Sequence, residues 1–149
     1  MGAVSGSIVI DASPDTILAI LLDLPAYPSW QKGIDKIEVQ DTDEQGRPRN
    51  TQWHVNAMGQ RSTHTVRYEY PADGCFEYHL VESEVLTKYD FSCAVSAAGE
   101  TSEVTISQEL GIKWAMPQFI LDKNAKKGIN AMLSALKTKV EQDLATKDR

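Results

Sequence analysis

The stretch PQFILDKNAKKGINAMLSALKTKVEQDLATK, residues 117–147, decides the fold. It holds no proline after Pro117 and one internal glycine, Gly128. Leu121, Ala125, Ile129, Met132, Leu133, Leu136, Val140 and Leu144 recur at spacings of three and four, which aligns them along one side of an α-helix. Lys123, Lys126, Lys127, Lys137 and Glu141 fall on the remaining surface. A helix of this length runs roughly 40 Å, about the span of a small domain. Its stripe needs a broad apolar surface to cover it. Either the stripe packs as plain core, or helix and surface do not quite meet and the gap holds a ligand.

The preceding residues supply such a surface, because their apolar period is two. Ile37 and Val39 share a face, with Lys36 and Glu38 on the other. Further strands are expected over 51–57, 63–70, 75–81, 89–95 and 104–112. A two-residue turn at Gly59-Gln60, with glycine first, would place Val55 opposite His64 and Trp53 opposite Val66. A second at Gly99-Glu100 would place Val95 opposite Val104 and Cys93 opposite Ile106. Carrying the parity through the other loops puts Ile37, Val39, Trp53, Val55, Ala57, His64, Val66, Tyr68, Tyr70, Phe76, Tyr78, Leu80, Tyr89, Phe91, Cys93, Val95, Val104, Ile106, Gln108, Leu110 and Ile112 on one face. His54, Thr65, Arg67, Glu69, Glu77, His79, Asp90, Ser107 and Glu109 fall on the opposite, wet face. A one-residue slip would invert every assignment, so the agreement between turns carries weight.

Upstream, 4–10 alternates and is β-branched, as a strand does. Ser13, Pro14 and Asp15 then suit the N-cap, first position and positive dipole end of a helix continuing through Ile17, Leu18 and Leu21. Pro25 and Pro28 break it, and a short second helix reaches Trp30. The 41–49 segment is a polar loop. The order is strand, two helices, six antiparallel strands, long helix: an α+β architecture in which a twisted sheet grips the last helix.

Composition narrows the function. At 149 residues the expectation is one domain spanning 1–149. The absence of an eighteen-residue apolar run argues against stable membrane insertion, and a net charge of −6 argues against nucleic acid. The first residues lack a signal-peptide pattern. Cys75 and Cys93, with no CxxC spacing, then read as reduced thiols in a cytoplasm.

This element order, with Ala12-Ser13-Pro14 after the first strand, Tyr27-Pro28-Ser29-Trp30 closing the helix pair and Leu80-Val81-Glu82-Ser83 in mid-sheet, resembles the START-like (SRPBCC) superfamily. That superfamily includes polyketide cyclases and dehydrases, coenzyme-Q-binding START-like proteins, birch-pollen-allergen relatives and small actinobacterial members. The resemblance covers nearly the whole chain. It implies the helix-grip fold and a hydrophobic cavity between sheet and last helix. It does not imply one chemistry, since binders, transporters and enzymes share the scaffold.

The inward face holds no aspartate or glutamate, so a carboxylate acid–base pair has no candidates there. Trp53 and several tyrosines suit an apolar pocket with a few polar tips, and equally an ordinary core. His64 is either a core histidine satisfied by a neighbour or a ligand-facing hydrogen bonder and weak general base. Of the three histidines, His54 and His79 point outward, so no metal site is expected. No phosphate loop, GxSxG or dinucleotide fingerprint occurs, and no cofactor is expected. Met116, Phe119 and Ile120 leave the helix entrance apolar all round, with Trp114 before it; they line a pocket mouth, close the core, or meet a partner or membrane.

The expected ligand-contacting set is therefore Trp30, Trp53, Val55, His64, Val66, Tyr68, Tyr78, Leu80, Tyr89, Phe91, Gln108, Trp114, Met116, Phe119 and Ile120. The expected function is binding or transport of a small hydrophobic molecule such as a lipid, polyketide or quinone-like compound. A metal-free cyclase/dehydrase using His64, a tyrosine and Gln108 is the second reading, and a protein-interaction module the third.

Overall fold

The computed structural model describes residues 3–57, 60–113 and 115–147. Strand β1 (Val4–Ile10) leads into α1 (Pro14–Leu21) and a 3-10 helix (Leu24–Ser29). Strands β2 (Ile34–Val39), β3 (Asn50–Ala57), β4 (Gln60–Glu69), β5 (Cys75–Ser83), β6 (Leu86–Ala98) and β7 (Thr101–Ile112) follow, and α2 (Gln118–Lys147) closes the chain. The strands form one antiparallel, curved sheet in the order β1-β7-β6-β5-β4-β3-β2. This is the helix-grip architecture that the START-like resemblance implies, built from the strands and helices that periods of two and 3.6 predict.

Local chemistry sets the joints. The Ser13 hydroxyl accepts from the Thr16 amide at 3.3 Å, capping α1, and Pro14 opens it. The Tyr27 hydroxyl donates to the Leu21 carbonyl and ties the 3-10 helix back to α1. Ser102 donates to the Ala12 carbonyl at 2.7 Å, pinning β7 beneath the β1–α1 corner.

The β6–β7 hairpin has the expected register: Val95 pairs with Val104 and Cys93 with Ile106, with Gly99 at φ +70° in the turn. The β3–β4 hairpin departs from expectation. Trp53 pairs with His64 and Thr51 with Val66, two residues off the register of a Gly59-Gln60 turn; Gln60 begins β4, and Gly59 lies outside the described residues. A slip of two keeps side chains on their faces, so the inward set survives the error apart from Ala57, whose side chain lies outside the described ones. His54 and Arg67 stay outside, where His54 Nε2 meets Glu38 at 3.0 Å.

The stripe of α2 is buried through Ala125, Ile129, Leu133, Leu136 and Val140, with Met132 and Leu144 packed at its border. The helix crosses β1 and β7 rather than the middle of the sheet. Gly6 makes that crossing close: a Cβ there would lie 3.1 Å from Ile129 Cγ2. Lys126 also donates to the Ser5 carbonyl. At about 1.5–3 kcal/mol for each fully buried aliphatic side chain, this stripe is a main source of the fold's stability.

Candidate functional site

With α2 seated over β1 and β7, the inner face farther along the sheet is open to form a cavity of about 230 Å³. Its lining is Ile34 of β2, Trp53 and Val55 of β3, His64 and Val66 of β4, Leu86 and Tyr89 of β6, and Gln108 and Leu110 of β7. The strands themselves build the wall; among the described residues α2 contributes none of the lining.

Trp53 presents its ring, because its polar tip is already used. Indole Nε1 donates to Thr51 Oγ1 at 2.9 Å, and Thr51 Oγ1 donates to the Val66 carbonyl at 3.2 Å. Behind the wall lies an aromatic stack: Tyr78 and Phe91 are 4.5 Å apart and nearly parallel, with Trp53 at 5.6 Å from Tyr78 and Tyr68 at 5.0 Å. Tyr78 donates to the Tyr89 hydroxyl at 3.1 Å, which connects the stack to the cavity. Burial holds Tyr27, Tyr68 and Tyr78 well above the ordinary phenol value, so these rings stay neutral. Tyr68 is buried with its hydroxyl unpartnered among the described residues.

His64 is 7% exposed, and its Nδ1 lies 2.8 Å from Ser83 Oγ. Desolvation lowers its pKa, against the smaller opposing pulls of the Thr63 backbone and the Glu84 charge. Ser83 arrives there through a β-bulge. Across β4 and β5, Val66 pairs with Leu80 and Thr65 with Glu82, but the irregularity between them leaves Val81 as an extra residue, 59% exposed. Without that extra residue the alternation would have turned Glu82 toward His64. The bulge keeps Glu82 exposed and brings Ser83 opposite His64.

Of the expected set, Trp53, Val55, His64, Val66, Tyr89 and Gln108 come together in the lining. Tyr68, Tyr78 and Phe91 stand one layer behind, and Leu80 packs partly buried against the core. Trp30 lines a different cavity of about 350 Å³ with Gln31, Lys32 and the α2 residues Gly128, Ala131, Met132 and Ala135. Phe119 is 72% exposed, while Met116 and Ile120 are half-buried outside the lining. Trp114 lies outside the described residues. Ile34, Leu86 and Leu110 line the cavity without being in the expected set. Leu110 was legible as inward-facing; Leu86 was not, since β6 begins three residues before the expected start.

No charged side chain is among the described lining, and the only titratable groups there are His64 and Tyr89. Cys93, 2% exposed, is pushed up to about 12 by burial and packs as a small apolar residue. On the outer face, Glu69, Glu77 and His79 bring ligand atoms within 4.8 Å of one another. Counting histidines alone misses that grouping. His79 Nδ1 is held by Asp90 at 2.8 Å, and the group is a solvated cross-strand charge network that also includes Lys88 and Glu109.

Comparison with curated proteins finds no sequence match. Among solved structures the chain is similar to a START superfamily protein from Mycobacterium smegmatis, with a TM-score of 0.91, 24% identity, and coverage of 95% of this chain and 99% of that one. It is also similar to the Zhui aromatase/cyclase from Streptomyces sp. R1128, with a TM-score of 0.82, 15% identity and coverage of 95% and 94%. A STAR-related lipid transfer protein fragment from Xanthomonas axonopodis gives a TM-score of 0.71 at 14% identity, with coverage of 93% and 85%. These likenesses establish the shared fold. Residues 1–141 match the family described as polyketide cyclase / dehydrase and lipid transport, and the chain belongs to that family.

Proposed function

We propose that the protein binds a small hydrophobic molecule in the sheet cavity. One observation carries this reading: six side chains expected to face a ligand converge on a space with no formal charge and only a few neutral polar tips. The family description, which names both polyketide chemistry and lipid transport, supports it. At about 230 Å³ the cavity is smaller than the usual 300–1,000 Å³ range, so it suits one or two fused rings or a short chain. The two thiols, neither in a disulfide, fit a reducing compartment such as the cytoplasm. A thermal-shift panel of small lipids, aromatics and quinones tests the reading. A ligand at a hundredfold its Kd should add about 2.7 kcal/mol of stability. A flat response across the panel contradicts it.

A cyclase/dehydrase activity is the second reading, favoured because His64, Tyr89 and Gln108 share one lining. Turnover of an aromatic polyketide intermediate with a bell-shaped pH profile would support it. His64→Leu should then abolish turnover while the protein still folds. Unchanged turnover in that variant would leave His64 a packing role.

A further inference from the structure

The hydrogen bonds around Ser83 determine where the His64 proton sits. A hydroxyl has one hydrogen to donate and two lone pairs to accept with. Ser83 Oγ accepts from the Val85 amide at 3.0 Å and from the Leu86 amide at 2.9 Å. Both lone pairs are thereby taken by the turn that begins β6. The Ser83 hydrogen is left for the remaining neighbour, His64 Nδ1 at 2.8 Å. Nδ1 is therefore an acceptor, and the ring proton of neutral His64 sits on Nε2. A proton on Nδ1 would face Ser83 donor to donor, or would displace one of the two amides.

A second donor stands in the same cavity. Tyr78 donates to Tyr89, so the Tyr89 oxygen is the acceptor and its own hydrogen has no acceptor among the described residues. Gln108 adds an amide that both donates and accepts. Among the described residues the lining offers no cation to receive a carboxylate and no anion to receive an amine, and burying either unpaired charge is costly.

We infer that Ser83 is a positioning residue that fixes His64 as the Nε2–H tautomer, so that the cavity selects an uncharged ligand offering an acceptor oxygen, such as a ketone. This rests on the cavity being a ligand site. It also assigns His64 the part of hydrogen-bond donor, because a ring nitrogen already protonated cannot take a proton from the ligand without first changing tautomer.

The test pairs a spectrum with a binding series. In nitrogen-labelled protein, two-bond nitrogen–proton correlations should show His64 Nε2 as the protonated, pyrrole-type nitrogen and Nδ1 as the pyridine-type nitrogen. Ser83→Ala should mix the tautomers, and Ser83→Thr, which keeps the hydroxyl, should restore the pattern. Three bicyclic probes then read the selection: α-tetralone, its hydrocarbon counterpart tetralin, and charged α-naphthoate. Only the Nε2–H form donates to the ketone, so affinity falls by the fraction of rings left in that form: an even tautomer mixture in Ser83→Ala should weaken α-tetralone about twofold and leave tetralin unchanged. The α-naphthoate should bind neither protein.

A proton on Nδ1 in the unmutated protein overturns the tautomer assignment, and needs no variant to fold. Equal α-tetralone affinity in the unmutated protein and a folded Ser83→Ala variant overturns the positioning role. The expected tautomer with no binding of either uncharged bicycle contradicts the ligand-site reading and the selection together, while leaving the Ser83–His64 pair intact.

Discussion

Replacing Thr51 by Val keeps the shape of a fully buried side chain and deletes one oxygen. That oxygen accepts the Trp53 indole N–H at 2.9 Å and donates to the Val66 carbonyl at 3.2 Å. The longer bond contributes little, since Val66 is already in the ladder with Thr51 as its register partner. The loss is dominated by the indole N–H, which is left inside an apolar wall without a partner. An orphaned buried donor costs about 1–3 kcal/mol. For a chain of this size 1 kcal/mol moves Tm by about 2–4 °C, so the melting temperature should fall by about 5 °C. Calorimetry on Thr51→Val, Trp53→Phe and the double variant completes the assay. Trp53→Phe removes the donor, so the double variant should lose less than the sum of the two single changes. A Thr51→Val variant that melts within about 1 °C of the original, or strict additivity across the cycle, would refute the claim that the Trp53 wall is held by Thr51.

The grip itself is tested by Leu136→Ala: Leu136 is fully buried on the inner stripe of α2, so denaturant unfolding should show a loss of about 2–5 kcal/mol, with the strand content of the folded protein retained. Two of the three histidines, His79 and His64, should respond to pH with opposite signs. The Asp90 side chain raises the His79 pKa above 6.5, so the stability from that pair is full below about 6.5 and disappears as pH rises through the folded value. Comparing His79→Gln with the original protein should show a deficit below about pH 6.5 that closes as pH rises through the raised folded value, and it should be small because His79 is half in solvent. Burial lowers the His64 pKa, so its unfolded form binds the proton first and stability falls as pH drops below about 6.5. His64→Gln should therefore gain on the original protein in acid, read from urea midpoints across pH; the reverse trend would place His64 in a charged, paired state.

The helix stripe and the strand faces were legible because both follow from period alone. Ala125, Ile129, Leu133, Leu136 and Val140 are buried as their spacing required, and the inward face held even where the β3–β4 register was two residues off. Parity survives an even slip; pairing partners do not. What could not be read was anything that breaks the period. The bulge at Val81 exchanges Glu82 for Ser83 beside His64, and no alternation rule announces an extra residue in mid-strand. The early start of β6 likewise hid Leu86. The placement of α2 over one side of the sheet depends on the close approach at Gly6, a distance between two elements more than a hundred residues apart. Hence the sequence pointed to cavity residues on the strands, while Phe119 at the helix entrance proved 72% exposed.

The central claim is that the space walled by Trp53, Val55, His64, Val66, Tyr89 and Gln108 holds a guest molecule. Native mass spectrometry of the protein isolated gently from its own host addresses this directly, with extraction to identify what is released. The account predicts a discrete added mass from an uncharged, largely apolar molecule small enough for about 230 Å³, lost when Val66→Trp fills the cavity. Protein that arrives empty, and that takes up no member of the small-molecule panel, would contradict it.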